Sequence, residues 1–412
     1  MPERPCTIAV LATLDTKGGE VVYLVDRIVR DWGCRAFVID LGILGEPALD
    51  GTWLPDVSRR EVACAGGEKV EQLAQAADRK RAIAAMSSGA EEVVRRSYRR
   101  EGFDAIVGLG GRAGTAMATT AMRALPLGVP KIMVSTMAGG DASGYVGVKD
   151  IVMVPSIVDI DGINRISRQI LSRTAAAVCA MARVEIEGGD DRPLIAASTF
   201  RSATPCVDAC RRQLETEGLE VLVFQATGAG GRTMESLVEA GFVRGVLDLT
   251  TTECADELVG GVRTAGPSRL EAAARSGTPA VVVPGCLDMV SFFARDTVPE
   301  EFAGRTFHRQ SDNMTLMRTS RAESAELGQV LAAKLNASTG PVEVYLPLGG
   351  VSTLSAPGGP FHDPAADEAL FTALRENLRR AVPVTEVDAN INDPRFACAV
   401  SDAMLRLVRD AN

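Results

Sequence analysis

Residues 6–13 (CTIAVLAT) are apolar at almost every position. A strand with one wet face alternates; a near-continuous run predicts a strand buried on both faces. A polar loop, LDTKGGE, follows, then an amphipathic stretch over residues 21–32 that Gly33 stops, then a second apolar run over 35–42. Strand, helix, strand in that order is a βαβ unit, whose parallel strands need helices packed on the sheet. Residues 45–67 show no period and read as a loop. A helical stripe covers 68–99, a strand 104–111 ends in glycines, and a helix covers 115–124. Strands in LPLGVPKIMVST and IVMVPS and a helix over 163–183 close this half.

The acidic, Gly-rich and Pro-terminated stretch 185–193 reads as a linker. After it the pattern restarts: PLIAASTF (strand), ATPCVDACRRQLETEG (helix with a Gly stop), LEVLVFQAT (strand). TGAGGRTMESLVEAGF then echoes VGLGGRAGTAMATTAM. The echo reads as a weak internal duplication, although two similar packing solutions would look the same. Further strands (VRGVLDLTT, VVVPGCLD, VEVYLPLGG) alternate with helices over 320–336, 365–381 and 394–409. The expected fold is α/β: two doubly wound Rossmann-like domains with mainly parallel sheets, residues 1–187 and 192–412.

Composition narrows the function classes. The 412 residues are 46% hydrophobic and 24% charged, enough for large cores. The net charge of −9 argues against nucleic acid as a partner, since phosphate-backbone binders carry a basic footprint. No apolar run reaches the length of a membrane span, and the opening MPERPC has no basic region followed by a cleavable apolar stretch. A cytoplasmic protein with no membrane partner is expected. Its nine cysteines contain no C-x-x-C pair and read as reduced, mostly buried thiols; Cys206 and Cys286 read as small buried residues. Two histidines exclude a multi-histidine metal site within one chain.

In doubly wound sheets, ligands bind outside the carboxyl ends of the strands. The turn with Gly108, Gly110, Gly111, Arg112, Gly114 and Thr115 offers close backbone approach and unpaired N–H groups where a helix opens near Thr115, which suits phosphate. A tight strand-to-helix turn needs the same glycines for packing alone. Thr13, Asp15, Thr16 and Lys17 put hydroxyls, a carboxylate and an ammonium at the end of the first strand; helix capping explains the same residues. Asp159 and Asp161 could hold Mg²⁺ or form an Asx-turn that caps the helix at 163. In the second half, Gly228, Gly230, Gly231 and Arg232 repeat the anion-site pattern, with Thr251 and Thr252 ending a strand nearby. A small anionic metabolite would bind there. Glu253, Asp288 and His308 would supply acid–base catalysis, against a structural reading of each.

Several of these stretches also carry a resemblance. ATLDTKGGE, VGLGGRAGTA, VPSIVDIDGIN, FQATGAGGRTMESLVEAGF, GVLDLTTTECAD, LMRTS and DANINDPRFA resemble the ATP-binding family of the tomato mosaic virus resistance protein. Its bacterial two-domain members form an uncharacterised protein family. The resemblance spans nearly the whole chain. It implies two Rossmann-like domains, ATP and Mg²⁺ as cofactors of the N-terminal one, and a homodimer or higher homo-oligomer. It places the nucleotide phosphates on Thr13, Asp15, Thr16, Lys17 and the turn from Gly108 to Thr115, and shifts the metal weight to Asp159. The alternative is a metabolic enzyme acting at the Gly228–Arg232 turn, coupled to ATP or not. The antiviral role of the plant member is not expected to carry over.

Overall fold

All six residues of the first strand, β1 (Thr7–Ala12), are buried. Ala9 and Leu11 point into one core while Ile8, Val10 and Ala12 point into another. Burying each large aliphatic side chain contributes about 1.5–3 kcal/mol. A strand covered on both sides therefore has no place for a polar position. The computed structural model describes residues 6–49, 54–76, 78–185 and 192–411. The chain divides into two compact units, Met1–Gly189 and Asp190–Asn412. Most of the stretch 185–193 lies outside the described residues.

In the first unit, β1 is followed by α1 (Leu14–Asp26), β2 (Arg35–Asp40), α2 (Arg59–Ala65), α3 (Val70–Ala76) and α4 (Arg79–Glu101). Then come β3 (Ala105–Gly110), α5 (Arg112–Arg123), β4 (Lys131–Ser135), the one-turn α6 (Ser143–Val146), β5 (Ile151–Pro155) and α7 (Arg165–Met181). The sheet is parallel throughout, in the order β2-β1-β3-β4-β5.

The second unit runs β6 (Leu194–Thr199), α8 (Thr204–Thr216), β7 (Glu220–Gln225), α9 (Ala229–Glu239), β8 (Gly245–Asp248), α10 (Thr252–Val259) and α11 (Ala272–Ser276). It continues with β9 (Ala280–Val282), β10 (Met289–Phe292), β11 (Phe307–Ser311), β12 (Met314–Arg318), α12 (Arg321–Asn336), β13 (Val342–Pro347), α13 (Pro364–Asn377), β14 (Val384–Val387) and α14 (Pro394–Asp410). Its main sheet is parallel, in the order β14-β13-β9-β8-β6-β7. Numbered along the chain within each main sheet, the first follows the order 2-1-3-4-5 and the second 2-1-3-4-5-6, the same order with one strand added. The α/β, doubly wound expectation holds for both units.

Four local expectations need correction. The 13–17 segment is not a loop: α1 begins at Leu14, because Asp40 Oδ1 at the end of β2 accepts the Leu14 N–H at 3.1 Å. Residues 59–65 form α2 instead of a loop, started by a capping box between Ser58 and Glu61. The long helix over 68–99 is broken, and Asp78 starts α4 by accepting the Arg81 N–H at 3.0 Å. A small antiparallel sheet, β10-β12-β11, was not anticipated and carries His308. Among the described residues, no helix is long and apolar enough to cross a membrane.

Candidate functional site

The helices after β1 and β3 pack on opposite faces of the first sheet. Leu14, Val21 and Leu24 of α1 belong to one core; Met117, Ala118, Ala121 and Met122 of α5 belong to the other. The chain therefore leaves these neighbouring strands in opposite directions. That is the topological switch point where doubly wound sheets open a crevice. A cavity of about 420 Å³ lies there, and it joins the two N-terminal motifs: Thr13, Asp15, Thr16 and Lys17 on one side, Gly111, Arg112 and Gly114 on the other.

The cavity lining carries charges of both signs: Lys17, Arg79 and Arg112 beside Asp15 and Asp78. Arg79 and Arg112, both exposed, are two of its cations. Lys17 also lines the cavity, with φ −126° inside α1, and its ammonium donates to the Ile160 carbonyl. The Arg112, Ala113 and Gly114 N–H groups open α5 with no acceptor among the described residues; the first turn closes only at Thr115 N, which donates to Gly111 O at 2.8 Å. Helix α5 thus starts three residues before Thr115. Unpaired N–H groups and the helix dipole make this end attractive to anions. Ile43, Leu44, Leu73, Ile83 and Met117 add apolar surface to the same lining.

The glycines of the turn separate into two kinds. A methyl on Gly108 would lie 2.6 Å from Met133 Sδ, and one on Gly110 would lie 2.9 Å from Gly114 Cα. These two are packing glycines and do not face the cavity. A methyl on Gly111 or Gly114 would meet nothing nearer than 3.7 Å. Thr115 is wholly buried; its hydroxyl contacts Ser135 Oγ at 2.6 Å and Gly110 O at 3.2 Å. Its side chain is therefore engaged inside the fold and offers nothing to a phosphate.

Asp15 does not cap α1: the N-cap position is Thr13, whose side chain makes no capping bond, and Asp15 lies inside the first turn. Its Oδ2 accepts the Ile43 and Leu44 N–H groups at 2.9 and 2.7 Å and so shapes the loop after β2. Asp40, which sequence reasoning passed over, is 1% exposed and lies against it. Burial raises the Asp40 carboxyl above its usual range, the Gly42 and Leu14 N–H groups pull it back, and Asp15 adds to the rise. The signal was present in the sequence as an acid ending the second strand.

Asp159 does not line this cavity. It lies in a neighbouring one of about 410 Å³ with Ser135, Thr136 and Ser156, and its Oδ1 accepts the Ile160 N–H at 2.9 Å. Asp161 does not cap α7; Asn164 does, in a capping box with Ser167. Among the described residues, no three His, Cys, Asp or Glu side chains cluster as metal ligands.

In the second unit the expected anion turn is filled from within the chain. Its Gly-rich turn already holds an anion, the Glu253 carboxylate. Glu253 Oε1 accepts the Gly228 and Gly231 N–H groups at 2.7 and 3.1 Å, and a methyl on Gly231 would lie 2.1 Å from Oε2. Gly230 packs on the backbone of Gln225. Arg232 donates to Thr264 O at 3.1 Å. The Thr251 and Thr252 hydroxyls are buried and contact the Val283 and Met289 carbonyls.

Glu253 is itself fully buried and bound at 2.7 Å by Arg269 Nε, whose guanidinium also grips Asp248 and Glu235. Asp288 is 1% exposed and takes the Ser352 hydroxyl at 2.6 Å; burial pushes its carboxyl up to about 6, opposed by Arg318. His308 sits on β11 with its ring edge-on to Phe361. Among the described residues, no hydrogen bond, ion pair or ring contact links Glu253, Asp288 and His308. The structure does not assemble them as a catalytic set.

Comparison with known proteins agrees with the two-unit architecture. Residues 6–187 match the N-terminal domain, and residues 192–408 the C-terminal domain, of the Uncharacterised protein family (UPF0261). The chain belongs to that family. A UPF0261 protein of Clostridium tetani is 45% identical over 97% of this chain and 98% of its own length. One from Rhizobium meliloti is 44% identical over 95% of this chain and 96% of its own. The ToMV resistance protein Tm-1(GCR237) of Solanum lycopersicum is 41% identical over 79% of this chain but only 44% of its own length. The resemblance read from ATLDTKGGE and its companion stretches is thereby confirmed. Among solved structures, a UDP-N-acetylglucosamine 2-epimerase aligns over 97% of this chain and 95% of its own at 10% identity, with a TM-score of 0.26, too low to carry an argument.

Proposed function

We propose that the first unit binds a nucleotide, ATP with Mg²⁺, in the cavity at the β1/β3 switch point. The observation that carries this reading is one cavity at the switch point that offers both cations and apolar wall. Lys17, Arg79, Arg112 and the open N–H groups of α5 supply positive charge beside the Asp15 and Asp78 carboxylates, and aliphatic side chains supply apolar surface. A triphosphate would take the cations and open N–H groups, and a planar base the apolar wall. About 420 Å³ is within the usual range of small-molecule sites. The ATP-binding family that the chain resembles supports the same reading. The second unit favours no competing metabolite site at its Gly-rich turn, since its own Glu253 fills that turn.

The test is a thermal shift of the whole chain with ATP, ADP, AMP, GTP, NAD and NADP, each with and without Mg²⁺. Binding to the native state alone raises the melting temperature by mass action. ATP is expected to give the largest rise, reduced in both Lys17→Ala and Arg112→Ala. No rise with any nucleotide, or one that both variants leave intact, overturns the reading.

A further inference from the structure

Three cysteines from separate elements meet at the amino end of the first sheet. Cys6 precedes β1, Cys34 precedes β2 and Cys179 lies on α7. We propose that Cys6 and Cys34 close into a reversible disulfide, a redox-sensitive clasp between β1 and β2.

The strand register places the pair. Thr7 and Arg35 are the first partners of the parallel β1/β2 ladder, and Cys6 and Cys34 stand one position before them. The Arg35 N–H donates to the Cys6 carbonyl at 2.7 Å, so the ladder reaches Cys6. Neighbouring strands run about 4.7–4.9 Å apart, inside the Cα separation of about 4.4–6.8 Å that a disulfide spans. Both side chains pack on one core, with Ile8 and Val10. The Cys34 thiol interacts with the thiols of both Cys6 and Cys179.

Exposure selects the partner. Cys179 is wholly buried and Cys34 is 2% exposed, whereas Cys6 is half-buried and within reach of a small oxidant. Cys206 and Cys210 also interact, one turn apart on α8, but both are 1% exposed.

Charge placement assigns the order of steps. Burial pushes the Cys6 thiol up to about 12, Cys34 and Asp104 add to the rise, and Arg183 opposes it. Arg183 Nη2 also donates to Cys34 Sγ at 3.4 Å and to the Trp32 carbonyl. A cation beside a sulfur supports the negative charge it carries when it attacks. Cys6 therefore meets the oxidant, slowly, and Cys34 resolves. In the first step the Cys6 thiolate attacks a small disulfide, oxidised glutathione: a mixed S–S bond forms, the small S–S bond breaks and one glutathione thiolate leaves. In the second the Cys34 sulfur displaces the other glutathione thiolate, and the Cys6–Cys34 bond forms. The two protein thiols are oxidised, and the small disulfide is reduced to two thiols that take up both protons.

The whole chain, equilibrated in glutathione buffers of rising oxidised fraction, then alkylated and mapped by mass spectrometry, tests this. The wild type is expected to yield a linked Cys6–Cys34 peptide pair, with Cys179, Cys206 and Cys210 alkylated. Cys64 and Cys398, both exposed, should carry glutathione instead. The link should vanish in Cys6→Ser and Cys34→Ser, persist in Cys179→Ala and reopen in reduced glutathione. If a variant at buried Cys34 or Cys179 fails to fold, Cys6→Ser, at a half-buried position, carries the test. The linked wild type should melt above Cys6→Ser in the same buffer, because a cross-link restricts the unfolded chain.

Cys6 and Cys34 that stay alkylatable where Cys64 and Cys398 are fully modified overturn the proposal. So does glutathione on Cys6 without a link, or a link from Cys34 to Cys179. A linked wild type that melts below Cys6→Ser marks a pair forced together, and overturns it as well.

Discussion

Replacing Glu253 by Ala tests the claim that this carboxylate is the built-in anion of the second Gly-rich turn. The substitution strands three donors in a fully buried place: the Gly228 N–H, the Gly231 N–H and Arg269 Nε, now at 2.7, 3.1 and 2.7 Å from the carboxylate. Each unsatisfied buried donor costs about 1–3 kcal/mol, and breaking a buried ion pair from one side costs about 3–5 kcal/mol. Arg269 keeps its bidentate contact with Asp248 and its contact with Glu235, which lowers the ion-pair share. A net loss of about 3–5 kcal/mol follows. Glu253→Gln keeps an oxygen for the two glycine N–H groups and should lose only about 1–3 kcal/mol.

The assay is urea unfolding with two probes. Both tryptophans, Trp32 and Trp53, belong to the first unit, so tryptophan fluorescence follows that unit while far-UV circular dichroism follows both. Glu253→Ala should move part of the dichroism transition to lower urea and leave the fluorescence transition in place. A dichroism transition within about 0.5 kcal/mol of wild type, the scale of a neutral surface change, would refute the reasoning.

The turn glycines should divide in the same way. Gly110→Ala, with its methyl 2.9 Å from Gly114 Cα, should destabilise by about 1–3 kcal/mol. Gly111→Ala should melt like wild type yet lose most of the ATP shift; equal melting temperatures for the two variants would sink the distinction. Asp256 gives a pH signature. Burial raises its carboxyl from 3.8 to about 7, so the folded state binds a proton that the unfolded state has released. Its contribution is complete below the unfolded value, falls as pH rises to about 7 and is flat above. Urea midpoints compared across this window should therefore decline more steeply in wild type than in Asp256→Asn, and parallel curves would contradict the assignment. Double replacement of Arg79 and Arg112 by Ala should flatten the salt dependence of ATP affinity, read by titration calorimetry, because exposed cations act through screened Coulomb attraction.

The strand-and-helix alternation was legible because a strand covered on both faces must be apolar throughout. CTIAVLAT, DAIVGLGG and PLIAASTF could be read as interior parallel strands without coordinates. The resemblance, and not the strand order, implied one site for Thr13–Lys17 and the Gly108–Thr115 turn; the opposite exits of α1 and α5 that bring Thr13–Lys17 and Gly111–Gly114 to one cavity were visible only in the structure. Helix starts were less legible, because α1 begins where a carboxylate from the neighbouring strand caps it, 26 positions away.

The chemistry of individual groups was decided by tertiary structure alone. Gly-rich turns that look alike in sequence diverge: the one ending at Gly114 faces a cavity, while the one ending at Gly231 closes on Glu253. Glu253 looked catalytic at a strand end, and packing made it structural. Asp40 looked like the end of a strand, and its burial beside Asp15 raises its carboxyl above the usual range. Local pattern determines which residues are apolar and where strands end, because secondary structure and burial are periodic along the chain. Which polar groups meet, and whether a free donor or oxygen remains, depends on residues far apart in sequence, and no periodicity encodes that.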